Sequence, residues 1–275
     1  MNTTTSVTTH RPDQHTEFVR KYGPWAVVTG ASDGIGQAFA EEIARRGVHV
    51  VLVARRADRL TALADRLRSE FHVQTHVLAL DLSDLAASTT LSREIADIEV
   101  GLFVGAAGFG TSGNFIDSDL DAELNMLDVN CRSVLAQTHG ISRRMSAQGR
   151  GGIVLLSSLV GFQGVPNAAH YSATKAWVQA LAEGLHQELG PRGVDVIACA
   201  PGPVASGFAA RAQMTMGKAD TPSMVAVQTL NALGRSMTVR PGTMSKILGY
   251  SLSTAPRGLR VRIMQGIMGG MVGAK

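Results

Sequence analysis

Residues 25–36 read Trp-Ala-Val-Val-Thr-Gly-Ala-Ser-Asp-Gly-Ile-Gly, and this stretch decides the fold. Its apolar, β-branched beginning predicts a buried strand that ends at Thr29. A glycine-rich turn follows, and a helical pattern then runs from Ile35 to Arg46. In such a unit the glycines allow a tight turn, and the free N–H groups at the helix start bind a pyrophosphate. The stretch therefore predicts the first unit of a dinucleotide-binding domain.

The rest of the chain repeats this alternation of short apolar runs and longer amphipathic stretches. Further strands are predicted at 48–53, 75–80, 100–104, 153–156 and 194–200, with helices at 57–69, 120–145 and 173–189 among them. Continuous apolar strands joined by helical crossovers predict a parallel sheet covered by helices on both faces. We therefore expect a single α/β domain of the doubly wound, Rossmann type.

The two ends of the chain differ from this pattern. Residues 1–20 are predicted to be a poorly ordered polar tail, which leaves residues 21–275 for the domain. After Pro201 the pattern loosens, although Pro222 marks the start of another helix. The segment 240–275 is rich in Met, Gly and Arg, and we expect it to cover the site or to contact another copy of the chain.

Composition narrows the function classes. The 275 residues are 45% hydrophobic and 17% charged, so the chain can bury a large core. The net charge is +4, but the arginines are scattered, so nucleic-acid binding is not expected. The two cysteines, Cys131 and Cys199, have no metal-ligand spacing and are expected to be buried free thiols. Because neither a secretory signal nor a membrane-spanning run is present, we expect a cytoplasmic enzyme. Because no metal-ligand spacing is present, we expect no metal in it.

The end of the second predicted strand bears on the choice of cofactor. An NAD site needs an acidic residue there for the ribose 2′-hydroxyl, whereas this chain has Arg55 and Arg56. Guanidinium groups suit a 2′-phosphate, so NADP(H) is favoured over NAD(H). Asp33 complicates this prediction, because a carboxylate that pointed into the site would repel the phosphate.

A second motif carries acid–base chemistry. Tyr171 and Lys175 are four residues apart at the start of a predicted helix, so their side chains share one face. The lysine charge would favour the phenolate and lower the Tyr171 pKa. Tyr and Lys at this spacing are common on helices, but Ser158 ends the fifth strand, at the sheet edge where ligands bind. Together the three side chains predict a proton-transfer site.

These motifs resemble those of the short-chain dehydrogenase/reductase family, in its branch of about 250 residues. The likeness runs from Trp25 to about Phe208 and includes the TGxxxGxG turn and the YxxxK pair. Its other shared residues are Asp81-Leu82, Asn130, Ser158 and Pro201-Gly202-Pro203-Val204. The C-terminal region is more loosely similar to bacterial ketoacyl and hydroxysteroid reductases.

The resemblance implies a role for each matching residue. Tyr171 would exchange a proton with the substrate oxygen, Ser158 would hydrogen-bond that oxygen, Lys175 would hold the nicotinamide ribose, and Asn130 would hold a water linked to Lys175. Asp81 would bind the adenine, while Val204 and Ser206 would contact the nicotinamide carboxamide. The full set of expected cofactor contacts is Gly30, Ser32, Asp33, Gly34, Ile35, Gly36, Arg55, Arg56, Asp81, Leu82, Ala106, Ala107, Gly108, Asn130, Tyr171, Lys175, Pro201, Gly202, Val204 and Ser206.

The chain departs from the family pattern at three places. Gly105-Ala106-Ala107-Gly108 replaces the usual Asn-Asn-Ala-Gly, so the asparagine hydrogen bonds that stabilise this loop are lost. Asp33 stands where NADP-using members often carry a basic residue. Ser206 replaces a usual threonine and keeps the hydroxyl.

We expect an NADP(H)-dependent oxidoreductase that transfers a hydride between nicotinamide and an apolar ketone or secondary alcohol. A 3-oxoacyl thioester reductase is the alternative within enzymes, and a Lys/Arg patch beside the pocket would favour it. A non-catalytic NADP-binding regulator is the alternative from another class, but it would be expected to have lost Tyr171 or Lys175. A homodimer or homotetramer is expected through the two long helices at 120–145 and 173–189.

Overall fold

The computed structural model describes residues 14–207 and 219–272. Its centre is a parallel sheet of seven strands in the order β3-β2-β1-β4-β5-β6-β7. The strands are β1 (Trp25–Thr29), β2 (His49–Ala54), β3 (Thr75–Ala79), β4 (Val100–Gly105), β5 (Gly151–Leu156), β6 (Val194–Cys199) and β7 (Thr238–Val239). The six predicted strands are present with their ends shifted by at most two residues. Strand β7 was not predicted, because two residues are too few to show a pattern.

Helices cover both faces of this sheet. They are α1 (Gln14–Tyr22), α2 (Gly34–Arg45), α3 (Ala57–Phe71), α4 (Ala87–Glu94), α5 (Leu120–Leu127), α6 (Ser133–Gln148), α7 (Ala169–Leu189), α8 (Pro222–Ala232), α9 (Thr243–Thr254) and α10 (Arg257–Val272). The doubly wound, single-domain prediction is confirmed.

Successive side chains of a strand point to opposite faces of the sheet, so they pack in different hydrophobic cores. In β1, Val28 packs with Phe39 of α2 on one face of the sheet. Val27 packs with Phe103 and Ile153 on the other. Each strand is therefore buried on both sides, which explains its continuous apolar sequence.

The structure corrects three predicted boundaries. The polar tail is shorter than residues 1–20, because α1 begins at Gln14 and its Phe18 is buried in the core; residues 1–13 lie outside the described part. The long helix predicted at 120–145 is interrupted by a π-helical turn at Asp128–Arg132. Helix α7 begins at Ala169 rather than at 173, so Tyr171 and Lys175 both lie within it.

The C-terminal helices pack over one end of the sheet. Leu252 of α9 and Met264 and Met268 of α10 are buried in a cluster that also contains Phe109 and Tyr171. These helices belong to the segment 240–275, for which the sequence predicts either a cover over the site or a contact with another copy. No helix in the described ranges is both long and apolar enough to cross a membrane.

Candidate active site

A cleft of about 520 Å³ opens between the parallel strands β1 and β4, where the order of the strands in the sheet reverses. This is the switch point at which doubly wound sheets bind ligands. Fourteen of the predicted cofactor contacts line it: Gly30, Ser32, Asp33, Gly34, Ile35, Gly36, Arg55, Arg56, Asp81, Leu82, Ala106, Ala107, Gly108 and Ser206. The lining also includes Phe109 and Val129, which sequence reasoning missed, since single apolar residues in a loop and a helix give no signal.

The turn after β1 requires glycine at particular positions. Gly30 has φ +69°, in the left-handed region. A Cβ on Gly36 would lie 2.3 Å from the carbonyl oxygen of Gly30, so no side chain fits there. This close approach brings the start of α2 against the end of β1, and the resulting cradle fits a pyrophosphate held by helix N–H groups.

Two arginines pair with the carboxylate of Asp33, which would otherwise repel a phosphate in the cleft. The Asp33 carboxylate caps α2 by accepting from the Gly34 N–H at 2.8 Å. Its other oxygen lies 3.3 Å from Arg56 Nη2 and 3.4 Å from Arg59 Nη1. Arg56 also donates to the Ser32 hydroxyl at 3.0 Å. The carboxylate is thus paired with cations at the edge of the cleft.

Thr29 supports the loop that lacks the usual asparagines. Its hydroxyl accepts from the N–H groups of Ala106 and Ala107 at 3.1 and 3.2 Å. The same hydroxyl donates to the Val104 carbonyl oxygen at 3.4 Å. A buried side chain of β1 therefore fixes the backbone after β4. Sequence reasoning missed this role, because threonine at the end of a strand is common.

The predicted catalytic residues meet beside this cleft. Ser158, Tyr171 and Lys175 line a second cavity of about 180 Å³, together with Pro201, Gly202, Val204 and Ser206. A side-chain hydrogen bond joins Ser158 and Tyr171. Lys175 Nζ donates to the Leu156 carbonyl oxygen at 2.8 Å and lies 5.9 Å from the centre of the Tyr171 ring. Since Ile35, Ala106, Gly108 and Ser206 line both cavities, the two are contiguous.

Asn130 is placed by the π-helical turn and is buried. Its amide donates to the Phe109 carbonyl oxygen at 2.9 Å and to the Thr174 hydroxyl at 3.0 Å. Its carbonyl oxygen accepts from the Phe109 N–H at 3.1 Å. Asn130 lines neither cavity. Its hydrogen bonds connect the loop after β4 to helix α7. One lone pair of its side-chain oxygen is left for the predicted water.

Burial changes the protonation of the pair in α7. It raises the pKa of Tyr171 above its ordinary value of 10, and the hydrogen bond with Ser158 opposes that rise. The pKa of Tyr171 is therefore raised and not lowered as expected, because desolvation of the phenolate is its largest cause. Burial also lowers the pKa of Lys175 to about 8. Near neutral pH the phenol is thus a proton donor beside a charged ammonium.

The cavity around Tyr171 has an apolar wall. Leu248 of α9 and Ile267 and Met268 of α10 line it opposite the residues of the sheet edge. Their only signal in the sequence is the apolar content of the segment 240–275.

His170, the residue before Tyr171, has a partner in helix α5. Its Nδ1 lies 2.6 Å from the buried carboxylate of Glu123 in α5. Cys131 and Cys199 are free and buried, as expected. Within residues 14–207 and 219–272, no group of three His, Cys, Asp or Glu side chains is arranged to hold a metal ion.

Comparison with known proteins agrees with this geometry. A family model for short chain dehydrogenases matches residues 24–217. The very-long-chain 3-oxoacyl-CoA reductase-A of Danio rerio is 35% identical over 218 residues, which are 78% of this chain and 68% of that protein. The very-long-chain 3-oxoacyl-CoA reductase of Homo sapiens is 30% identical over 88% of this chain and 78% of its own length.

Two solved structures extend the comparison. A 7β-hydroxysteroid dehydrogenase structure is 27% identical with a TM-score of 0.83, over 90% of this chain and 98% of its own. A short-chain dehydrogenase from Sphingobium yanoikuyae in complex with NADPH is 31% identical with a TM-score of 0.79, over 86% and 95%. The predicted resemblance is confirmed: the chain belongs to the short-chain dehydrogenase/reductase family, and it is an NAD(P)-dependent oxidoreductase that acts on hydroxyl and carbonyl carbons.

Proposed function

We propose that this enzyme uses NADPH to reduce the ketone of a substrate carried on an apolar chain. One observation carries the proposal: the cavity that contains the Ser158 and Tyr171 hydroxyls is walled by Leu248, Ile267 and Met268. A polar end with two hydroxyls and an apolar remainder suits a carbonyl attached to hydrocarbon.

Side chains of this protein bind the carbonyl oxygen and donate the proton to it. The bound nicotinamide supplies the hydride that the carbonyl carbon receives. Ser158 donates a hydrogen bond to the carbonyl oxygen as negative charge grows on it. The Tyr171 phenol, kept protonated by burial, gives its proton to that oxygen, and the product is a neutral alcohol. The phenolate left behind is stabilised by the nearby Lys175 ammonium, which lies 5.9 Å from the centre of the ring.

The preference for NADPH is supported by charge at the cleft. Arg55 and Arg56 both line it at the end of β2. Arg55 is 3.8 Å from Asp81, and Arg56 is held by Ser32. This leaves two guanidinium groups at the position where an NAD site has an acidic residue. The NADPH bound to the Sphingobium yanoikuyae relative is in accord with this preference.

A 3-oxoacyl thioester is a second candidate substrate, favoured by Arg240 and by the reductases named above. Arg240 follows β7, and its guanidinium stacks on Phe162 at 4.4 Å and on Tyr250 at 5.5 Å from the ring centres. Phe162 ends the short turn that Ser158 caps. Arg240 lines neither cavity, but its contact with Phe162 places a cation beside the turn that begins at Ser158. Such a cation suits the phosphates of an acyl-CoA or of a phosphopantetheine.

The experiment follows nicotinamide absorbance with bulky ketones, 3-oxoacyl-CoA thioesters and the same acyl groups on a thiol without phosphates. We expect turnover with NADPH, and a loss of roughly 100-fold or more in Tyr171→Phe with NADPH affinity retained. Unchanged NADPH oxidation in Tyr171→Phe would contradict the mechanism.

The thioester candidate has its own test. Arg240→Gln should raise KM for the CoA thioester and leave KM for the phosphate-free thioester unchanged. The control is Arg235→Gln, which removes the same charge from an exposed arginine that precedes β7. An equal change in KM for both thioesters would remove Arg240 from substrate recognition.

We also propose a cytoplasmic homodimer or homotetramer. Exposed leucines on α5 and α6 support a contact between copies: Leu120, Leu124, Leu127 and Leu135. Sedimentation of Leu124→Lys at micromolar concentration tests the assembly, because a buried charge at the contact should shift the mass towards the monomer. Cell fractionation tests the location.

A further inference from the structure

The C-terminal helices α9 and α10 each have one face towards the cavity and another towards solvent. On the inner side, Leu252, Met264 and Met268 are buried with Tyr171. The outer side is neither buried nor polar throughout. Packing against the cavity therefore explains the inner faces of these two helices but not the exposed apolar side chains on their outer faces.

That outer surface carries large apolar side chains. Ile247 and Tyr250 of α9 are 56% and 64% exposed, and Leu259 and Ile263 of α10 are 49% and 38% exposed. The spacing within each pair is three or four residues, so both members lie on one face of their helix. Single exposed apolar residues are ordinary, but four on two consecutive helices mark a contact surface.

The two helices are also positively charged, and Lys246 and Arg262 directly precede the exposed Ile247 and Ile263. Lys246 of α9 and Arg257 and Arg262 of α10 are exposed. The sequence contains no Asp or Glu after Asp220, whereas residues 221–275 contain seven Lys or Arg. Residues 1–220 contain 19 Lys or Arg and 22 Asp or Glu. The excess of positive charge in this protein therefore belongs to its C-terminal segment.

We infer that α9 and α10 dock on the surface of an anionic lipid bilayer. Apolar side chains that enter the interface, flanked by lysine and arginine that bind lipid phosphates, are the elements of interfacial helix binding. The inference does not depend on which carbonyl the enzyme reduces. It adds a location for the apolar cavity, because the helices that cover the cavity would rest on the phase in which long-chain substrates dissolve.

Charge disfavours a second copy of the chain as the occupant. A two-fold contact places the same patch on both sides, so Lys246, Arg257 and Arg262 would approach their own equivalents. With no carboxylate in the segment, such a contact has no partner for these charges. An anionic lipid surface has the complementary charge.

The test is flotation of the full-length protein with vesicles. One set contains phosphatidylcholine only, and the other contains about one-third phosphatidylglycerol, each at low and at high salt. We expect binding to the anionic vesicles that is lost at high salt, because surface charges are screened there. The triple variant Lys246→Gln/Arg257→Gln/Arg262→Gln should bind on the order of 100-fold more weakly, since each basic residue contributes about five-fold.

A matched control removes three exposed charges elsewhere: Arg93→Gln/Arg143→Gln/Arg192→Gln. It should bind the anionic vesicles like the unmodified protein. A second variant, Ile247→Ser/Ile263→Ser, keeps every charge and should still reduce binding to the anionic vesicles at low salt. Circular dichroism verifies that each variant is folded.

Three results would overturn the inference. These are absence of vesicle binding, equal binding of the two triple variants, and equal binding to both vesicle types. A concentration-dependent increase in mass that the Lys246/Arg257/Arg262 variant abolishes, without vesicle binding, would instead identify the surface as a contact between copies.

Discussion

The carboxylate of Asp33 lies 3.3 Å from the guanidinium of Arg56, across the cleft edge between the end of β1 and the end of β2. Arg59, one turn further along α3, lies 3.4 Å from the same carboxylate oxygen. Asp33 is the one acidic residue of the phosphate-binding turn. Because two arginines pair with its carboxylate, its negative charge no longer repels a bound phosphate. It also orders Arg56, whose guanidinium donates to Ser32 as well.

Arg56→Ala should change the choice of cofactor. Because Arg56 lines the cleft and is a phosphate-binding cation, its removal should lower kcat/KM for NADPH by roughly 10- to 100-fold and leave kcat/KM for NADH nearly unchanged. Steady-state kinetics with both cofactors measure this. Arg59→Ala is the control, because Arg59 has the same carboxylate partner but does not line the cleft. An equal loss with both cofactors in Arg56→Ala would mean that the residue only supports the fold.

Thr29→Val should destabilise the loop after β4. The replacement keeps the shape of the side chain but removes the acceptor of the Ala107 N–H and leaves the Ala106 N–H with the Val104 carbonyl oxygen alone. This costs about 1–3 kcal/mol of unfolding free energy. Urea denaturation measures the loss, and NADPH affinity should fall because both alanines line the cleft. Thr29→Ser keeps the hydroxyl and should retain most of both properties. Equal stability of the valine and serine variants would refute the role of the hydroxyl.

The contact of His170 with Glu123 should position the start of α7. The two side chains join α5 to the residue before Tyr171, and Glu123 is buried. His170→Leu should cost about 1–3 kcal/mol of stability, because a buried carboxylate loses its partner. It should also lower kcat roughly 10-fold or more through displacement of Tyr171, with NADPH affinity unchanged.

His139→Leu is the matched control for His170→Leu, since His139 is an exposed histidine on α6. It should leave both stability and kcat unchanged. If His170→Leu lowered stability and left kcat unchanged, the pair would have no positioning role.

The pH dependence of kcat/KM should have an alkaline limb near pH 8. Burial lowers the pKa of Lys175 to about 8, so the ammonium is present below that pH and is lost as pH rises through it. Since kcat/KM reports the groups of the free enzyme, activity should fall above about pH 8. Tyr171, whose pKa burial raises, and Cys131, whose pKa burial raises to about 11, cannot produce this limb. A profile that stays flat to about pH 10 would contradict the assignment to Lys175.

Local patterns were enough for much of the nucleotide site. The turn at 29–36 requires glycines because backbone meets backbone there, and that requirement is visible in the sequence. The carboxyl ends of parallel strands meet at one edge, so the position of Ser158 at the end of a strand predicted that it would lie at the ligand-binding edge. The π-helical turn at 128–132 was not predictable, because its residues differ little from those of an α-helix.

The sequence by itself determined the family, the parallel sheet and the members of the proton-transfer site, because each depends on spacing along one element or on strand order. Tertiary structure alone decided which groups neutralise Asp33, which side chain holds the loop at 106–107, and that Met268 lies over Tyr171. These contacts join segments far apart in the chain, and their strength depends on distance and burial. The direction of the Tyr171 pKa was decided in the same way: the sequence supplied the nearby charge, but only packing determined how much water the phenol loses.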